Sequence, residues 1–248
     1  MLRKILQPFY TAYVVLIFVA TLFAVLPFYL VLSLSNTAAS RKMVWRLTWL
    51  WSWLWLRLTG MWVRRFGALP QGNQFVIVAN HVSYLDPIVI YDVLPFYFRP
   101  LAKHEIKKVP LFGFIYAQIA LLVDRSSIQS RAASMRAMQD ALHHDCSVFM
   151  YPEGTFNEST DAMQAFYDGA FRLAIEAQVS ILPIVFPDTK ARWHYSAWWK
   201  MWPGKNRAYI LEPISVQGLS LEDVPVFKEK VRAIMGDELM RQMDKSGK

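Results

Sequence analysis

The first 65 residues of this 248-residue chain contain neither aspartate nor glutamate. Nothing between Lys4 and Arg41 is charged at all. Of the chain's 27 bases, eight lie in this stretch (Arg3, Lys4, Arg41, Lys42, Arg46, Arg57, Arg64 and Arg65), which leaves 19 against 19 acids for the remainder. The formal net charge of +8 therefore belongs to the N-terminal quarter. A nucleic-acid footprint sits on the folded domain, so this distribution argues against nucleic acid as a partner. It fits anionic lipid head groups, where each basic residue adds about 1 kcal/mol.

Other absences narrow the field. With a single cysteine, Cys146, the chain has no internal disulfide and carries no sign of an oxidising compartment. No Gly-x-Ser-x-Gly elbow occurs, which speaks against a serine lipid hydrolase. No internal repeat is visible.

What is present is apolar: 54% hydrophobic residues and ten tryptophans, high for a soluble protein. The run from about Phe9 to Leu34 is long enough to span roughly 30 Å of hydrocarbon. It is too long for a cleaved signal peptide and lacks a convincing small-residue cleavage site. Pro27 is expected to kink it, as membrane helices tolerate. Residues 42–66 then mix Trp45, Trp49, Trp51, Trp53, Trp55 and Trp62 with arginines, a pairing suited to the head-group level. Bases flank the first run on both sides, so a simple span would put one cluster on the disfavoured face. A membrane-embedded helical hairpin over residues 1–66 satisfies both clusters. A single span and a pair of soluble core helices are the alternatives. The turn-rich stretch Gly67–Asn73 marks a boundary, with one α/β domain expected over 67–248.

Within that second part, short apolar runs alternate with helical spacing. Strands are expected over 75–79, 119–123, 148–151, 181–186 and 209–211, and helices over 87–94, 127–143, 166–178 and from Leu221 onward. This alternation predicts an α/β fold, a mixed sheet flanked by helices. Pro183 inside the 181–186 run points to an edge strand or a bulge.

The stretch FVIVANHVSYLDP, 75–87, carries the chemistry. Its strand ends at Asn80-His81, where open α/β sheets bind ligands. Asp86 follows five residues after His81 and three after Ser83, a spacing that resembles a capping box. Residues i and i+5 do not share a helical face, so the two side chains meet only if a turn folds Asp86 back. The carboxylate would then hold one ring nitrogen and leave the other to take a proton. Otherwise Asp86 merely caps its helix. Arg125 and the turn Glu153-Gly154-Thr155 also follow strands, so they fall at the same edge as His81. A surface salt bridge is the alternative for Arg125. Lys103, Lys107 and Lys108 form a basic surface. His143, His144, Asp145 and Cys146 are consecutive at a helix-to-strand connection and read as a surface turn, not a metal site. The segment 189–207 is either a second membrane contact or a loop over the site.

Four blocks in order resemble the glycerolipid acyltransferase family with the His-x-x-x-x-Asp motif: NHVSYLD at 80–86, LLVDR at 121–125, YPEGT at 151–155 and ILPI at 181–184. The resemblance runs from about residue 75 to 186, and the N-terminal pair also looks like that of family members. It implies that His81 is a general base oriented by Asp86. The base would deprotonate the free hydroxyl of a lyso-lipid, with 1-acyl-sn-glycerol-3-phosphate first among acceptors, for direct attack on the thioester of acyl-CoA or acyl carrier protein. No cofactor or metal is implied. Arg125 would bind the acceptor's phosphate, and Glu153, Gly154 and Thr155 would shape its site; the basic surface residues Lys103, Lys107 or Lys108 would make up for any cation missing there. The implied location is the membrane, with the catalytic domain on the cytoplasmic face. Two positions depart from the family pattern: Phe156 stands where arginine is common, and Tyr167-Asp168 stand where a lysine commonly precedes Gly-Ala-Phe. Another lyso-lipid is therefore the alternative acceptor. A non-catalytic lipid-binding protein is the rival from another class.

Overall fold

The computed structural model describes residues 2–35, 37–72, 74–109, 112–124, 127–144 and 146–245. Two long helices come first, α1 (Leu2–Ser33) and α2 (Ala38–Leu58), the second opened by a capping box between Thr37 and Ser40. α1 runs on through Pro8 and Pro27. It is long and apolar enough to cross a membrane. The two helices are antiparallel, since partners climb one while descending the other. Tyr29 bonds Thr48 at 2.8 Å, the Trp51 indole donates to Thr21 at 3.0 Å, and the Tyr13 hydroxyl donates to the Leu58 carbonyl at 2.8 Å.

The remaining elements are β1 (Val63–Phe66), β2 (Val76–Ala79), α3 (Asp86–Val93), β3 (Phe98–Lys103), α4 (Phe112–Ile119), β4 (Leu121–Val123), α5 (Ile128–His144), β5 (Ser147–Met150), α6 (Gly169–Ala177), β6 (Ile181–Val185), α7 (Thr189–Arg192), β7 (Asn206–Ile210) and α8 (Val224–Asp244). Among the described residues, seven strands form one mixed sheet in the order β1-β7-β6-β2-β5-β3-β4. Every pairing is parallel except β6 with β7. β2, β5, β3 and β4 therefore end on one edge.

Central strands of such a sheet are buried on both faces, and β2 shows the division. Phe75, Ile77 and Ala79 join one core with α1, α2 and α3. Val76 and Val78 join the other with α5, α6 and α8. The helix pair thus shares a core with the sheet. Ser52 donates to the Ile88 carbonyl at 2.6 Å and Arg57 pairs with Asp92 at 3.2 Å, which ties α2 to α3.

Three expectations change. Residues 63–66 extend the sheet as β1 instead of closing the second helix, so the boundary expected after Phe66 falls directly behind an edge strand. β3 and α4 had no counterpart in the sequence reading. Pro183 lies in an interior strand, between β2 and β7, so an edge position is wrong. The other alternative, an irregular pairing, is present. Between the Ile181–Ile214 bridge and the Ile184–Ile210 pair, Leu182 and Pro183 face three residues, Leu211, Glu212 and Pro213. The Pro183 carbonyl accepts from Leu211 at 3.0 Å, and the missing N–H falls within the irregularity.

Candidate active site

After β2 the chain turns sharply, and Asp86 folds back at the start of α3. Its Oδ2 accepts the backbone N–H groups of Val82 and Ser83, each at 2.8 Å, and lies 3.0 Å from His81 Nδ1. That oxygen already receives two N–H donors, so the network assigns Nδ1 as a third donor to it. Nε2 is left with its lone pair. Asp86 is fully buried and the His81 side chain is 15% exposed. Ser83 departs from a regular capping box. Its hydroxyl accepts from Leu85 N at 3.0 Å and donates to the Trp193 carbonyl at 2.5 Å.

The turn after β5 holds His81 by its backbone. Glu153 Oε1 accepts the His81 N–H at 2.9 Å and Oε2 accepts the Gln164 N–H at 2.9 Å. Asn157 N donates to the His81 carbonyl at 2.7 Å. Burial pushes the Glu153 carboxyl up, against the pull of these two N–H groups. With both oxygens engaged and the side chain buried, Glu153 bonds the backbone on either side of the turn and holds His81 in place. Gly154 has φ of +73°, and a Cβ there would lie 2.7 Å from the Tyr167 ring, so only glycine fits.

Asn80, one residue before His81, clips β2 to the end of β6. It donates to the Phe186 carbonyl at 3.0 Å and accepts the Phe186 N–H at 2.7 Å. Nothing in the sequence distinguished it from a turn residue. Aromatic rings complete the surroundings. Tyr151 stacks on the His81 ring at 3.8 Å and 10°, and Phe156 packs on it at 4.2 Å. Burial, and then the nearby Asp86 charge, push the Tyr151 phenol well above its ordinary value. Tyr195 stacks on Phe156, and Trp193 packs on Tyr84, so the 189–207 segment does run over the site.

His81, Lys103, Gly154, Thr155, Phe156 and Tyr116 line one cavity of about 280 Å³. Asp86 and Glu153 stand behind it. Arg125 lies outside the described residues. Asp168 is paired with Lys228 of α8 at 2.7 Å. Of the expected surface turn, Asp145 lies outside the described residues. His143 and His144 end α5, exposed as expected, whereas Cys146 is buried.

A histidine oriented by a buried carboxylate, with its free nitrogen beside a cavity and a lysine, suits deprotonation of a hydroxyl. The family model described as Acyltransferase matches residues 61–187, just over half of the chain. The chain belongs to the acyltransferase family. Among its relatives, mouse 1-acyl-sn-glycerol-3-phosphate acyltransferase alpha is 34% identical over 186 residues, covering 70% of this chain and 61% of that protein. The human beta form is 32% identical over 178 residues, covering 67% and 60%. The chain thus spans about three fifths of the length of these curated relatives. Among solved structures, the 1-acyl-sn-glycerophosphate (LPA) acyltransferase PlsC from Thermotoga maritima matches with a TM-score of 0.80 over 97% of each chain. At 22% identity that likeness speaks to the acyltransferase fold alone.

Proposed function

We propose that this acyltransferase moves a fatty acyl group from a thioester donor, acyl-CoA or acyl carrier protein, to the free hydroxyl of lysophosphatidic acid, giving phosphatidic acid. The observation that carries the reading is the His81–Asp86 pair, with Nε2 free beside the cavity that Lys103 shares. Nε2 takes the hydroxyl proton as the oxygen attacks the thioester carbonyl. The resulting imidazolium is stabilised by Asp86. When the C–S bond breaks, the proton passes to the departing thiolate, and the ester and free thiol leave. No group outside the two substrates is consumed. Arg125 and Lys103 are assigned to the acceptor's phosphate, and Thr155 and Gly154 to its glycerol portion.

The antiparallel pair α1–α2 is assigned to the membrane, dipping in and returning to the cytoplasmic face. The outer surface of α1 is largely apolar, with Leu2, Phe9, Leu16, Phe23 and Phe28 all exposed. Because α2 is tied to α3, which begins at Asp86, a hairpin seated in the bilayer holds the catalytic pair at the lipid surface.

One observation favours a second acceptor class. Phe156, on the His81 ring, supplies no cation where the family commonly has arginine. A lyso-lipid with a phosphodiester head group needs fewer charge-assisted bonds than a monoester dianion. The test is acyl transfer by the purified full chain, with labelled acyl-CoA and a panel of lyso-lipids, repeated with acyl carrier protein as donor. Lysophosphatidic acid is expected to win, and His81→Ala to abolish transfer. A diester acceptor preferred tenfold would replace the first reading with the second. Transfer to none would overturn both.

A further inference from the structure

A second cavity lies far from His81 in the chain, between the N-terminal half of α1 and the loop 198–200. It encloses about 900 Å³ and is lined along α1 from Lys4 to Val19. At 1.5 Å per residue those 15 steps cover about 22 Å, longer than one ~15 Å leaflet of a bilayer's hydrocarbon. The floor is apolar, with Ala12, Val15 and Val19 in line. Lys4 and Lys200 border it, and among the described residues no acid contributes. Trp198 and Trp199 form the remaining wall, 60% and 52% exposed.

The groove is built and not a chance gap. Thr11 donates to the Trp199 carbonyl at 2.8 Å and accepts the Met201 N–H at 3.2 Å, which fastens the loop to α1. Arg3 lies over the Trp202 ring at 5.2 Å. At its other end the same loop reaches the active site. The Trp193 indole donates to the Trp198 carbonyl at 2.9 Å, and Trp193 is held by Ser83.

We infer that this groove binds one anionic phospholipid, its phosphate between Lys4 and Lys200 and one acyl chain along α1. Charge complementarity selects the occupant: two lysines with no acid at one groove, beside tryptophans of the kind that sit at head-group level. A zwitterionic lipid such as phosphatidylcholine would use the apolar floor but bring a quaternary ammonium against the same two lysines. The groove shares no lining residue with the acceptor cavity, so a failure of this inference leaves the acyl-transfer reading standing.

The experiment is native mass spectrometry of the full chain in detergent, with phosphatidylglycerol or phosphatidylcholine added at equal concentration. One phosphatidylglycerol is expected to stay bound in preference to phosphatidylcholine. At about fivefold per basic residue, the Lys4→Gln/Lys200→Gln double variant should bind it about 25-fold more weakly. Ala12→Phe, which fills the floor and keeps both charges, should release both lipids. Millimolar inorganic phosphate should not displace the lipid. Equal retention of the two lipids by wild type, undiminished phosphatidylglycerol on the double variant, or displacement by inorganic phosphate would each overturn the inference.

Discussion

His81 Nδ1 and Asp86 Oδ2 lie 3.0 Å apart, and the oxygen between them and the chain also receives the N–H groups of Val82 and Ser83. The turn that brings them together is thus bonded by the carboxylate itself. One residue closes its own loop and orients the base.

Asp86→Asn keeps the size and removes the charge that steadies an imidazolium. General-base function contributes about 10²–10⁴-fold, so kcat should fall within that range. KM should change little, because Asp86 stands behind the cavity. Steady-state kinetics with acyl-CoA checks this, and a loss below tenfold would remove Asp86 from the mechanism.

Glu153→Gln should destabilise the turn. A carboxamide accepts at one end only, so either the His81 or the Gln164 N–H is left facing an NH2 group. An unsatisfied buried donor costs about 1–3 kcal/mol, or several degrees of melting temperature. The sign with pH follows from the raised carboxyl. As pH climbs past about 4.3, the unfolded chain releases this proton before the folded one. Glu153's contribution is therefore present at low pH and declines as pH rises through its folded-state value. The stability gap between wild type and variant should narrow from pH 4 toward neutrality; a widening gap would reverse the assignment.

Asn80→Leu removes both bonds to Phe186 and leaves a buried N–H and a carbonyl without them. We expect a loss of about 2–4 kcal/mol in denaturant unfolding. Activity should fall as well, since Asn80 sets where His81 leaves the strand. A variant as stable as wild type would mean that Phe186 finds other partners.

Phe156→Arg tests the acceptor. A new charge-assisted bond to a phosphate monoester is worth about 1.5–3 kcal/mol, so kcat/KM for lysophosphatidic acid relative to a diester lyso-lipid should rise about tenfold or more. The same change gives up ring contacts with His81, Tyr84 and Tyr195, each worth about 0.5–1.5 kcal/mol, so the variant should melt lower. No shift in acceptor ratio would place the head group away from residue 156.

Much of the site could be read from local sequence because each block follows a strand. In a mostly parallel sheet, strand ends collect on one edge whatever the strand order, so His81 and the Glu153 turn converge there, and Lys103 joins them at the end of β3, a strand seen only in the structure. The bonding of Glu153 is not legible in the same way. A glutamate in a glycine turn looks alike whether it faces substrate or backbone, and only the position of His81 N and Gln164 N reveals which. Residues 63–66 were missed because Val63-Arg64-Arg65-Phe66 is too short to show a period. Its strand character comes from its partner, Asn206–Ile210, some 140 residues away in sequence.

By itself, the sequence supplied the four blocks that carry the family resemblance, the long apolar N-terminal run and the alternating α/β pattern, since each is written in consecutive residues or in local spacing along the chain. Tertiary structure alone decided that Asp86 reaches His81, that Glu153 and Asn80 serve the backbone, and that the 189–207 loop joins α1 to the roof of the site. These are contacts across 5 to 190 residues. Their direction depends on where side chains point once the sheet is assembled, and no local period encodes that.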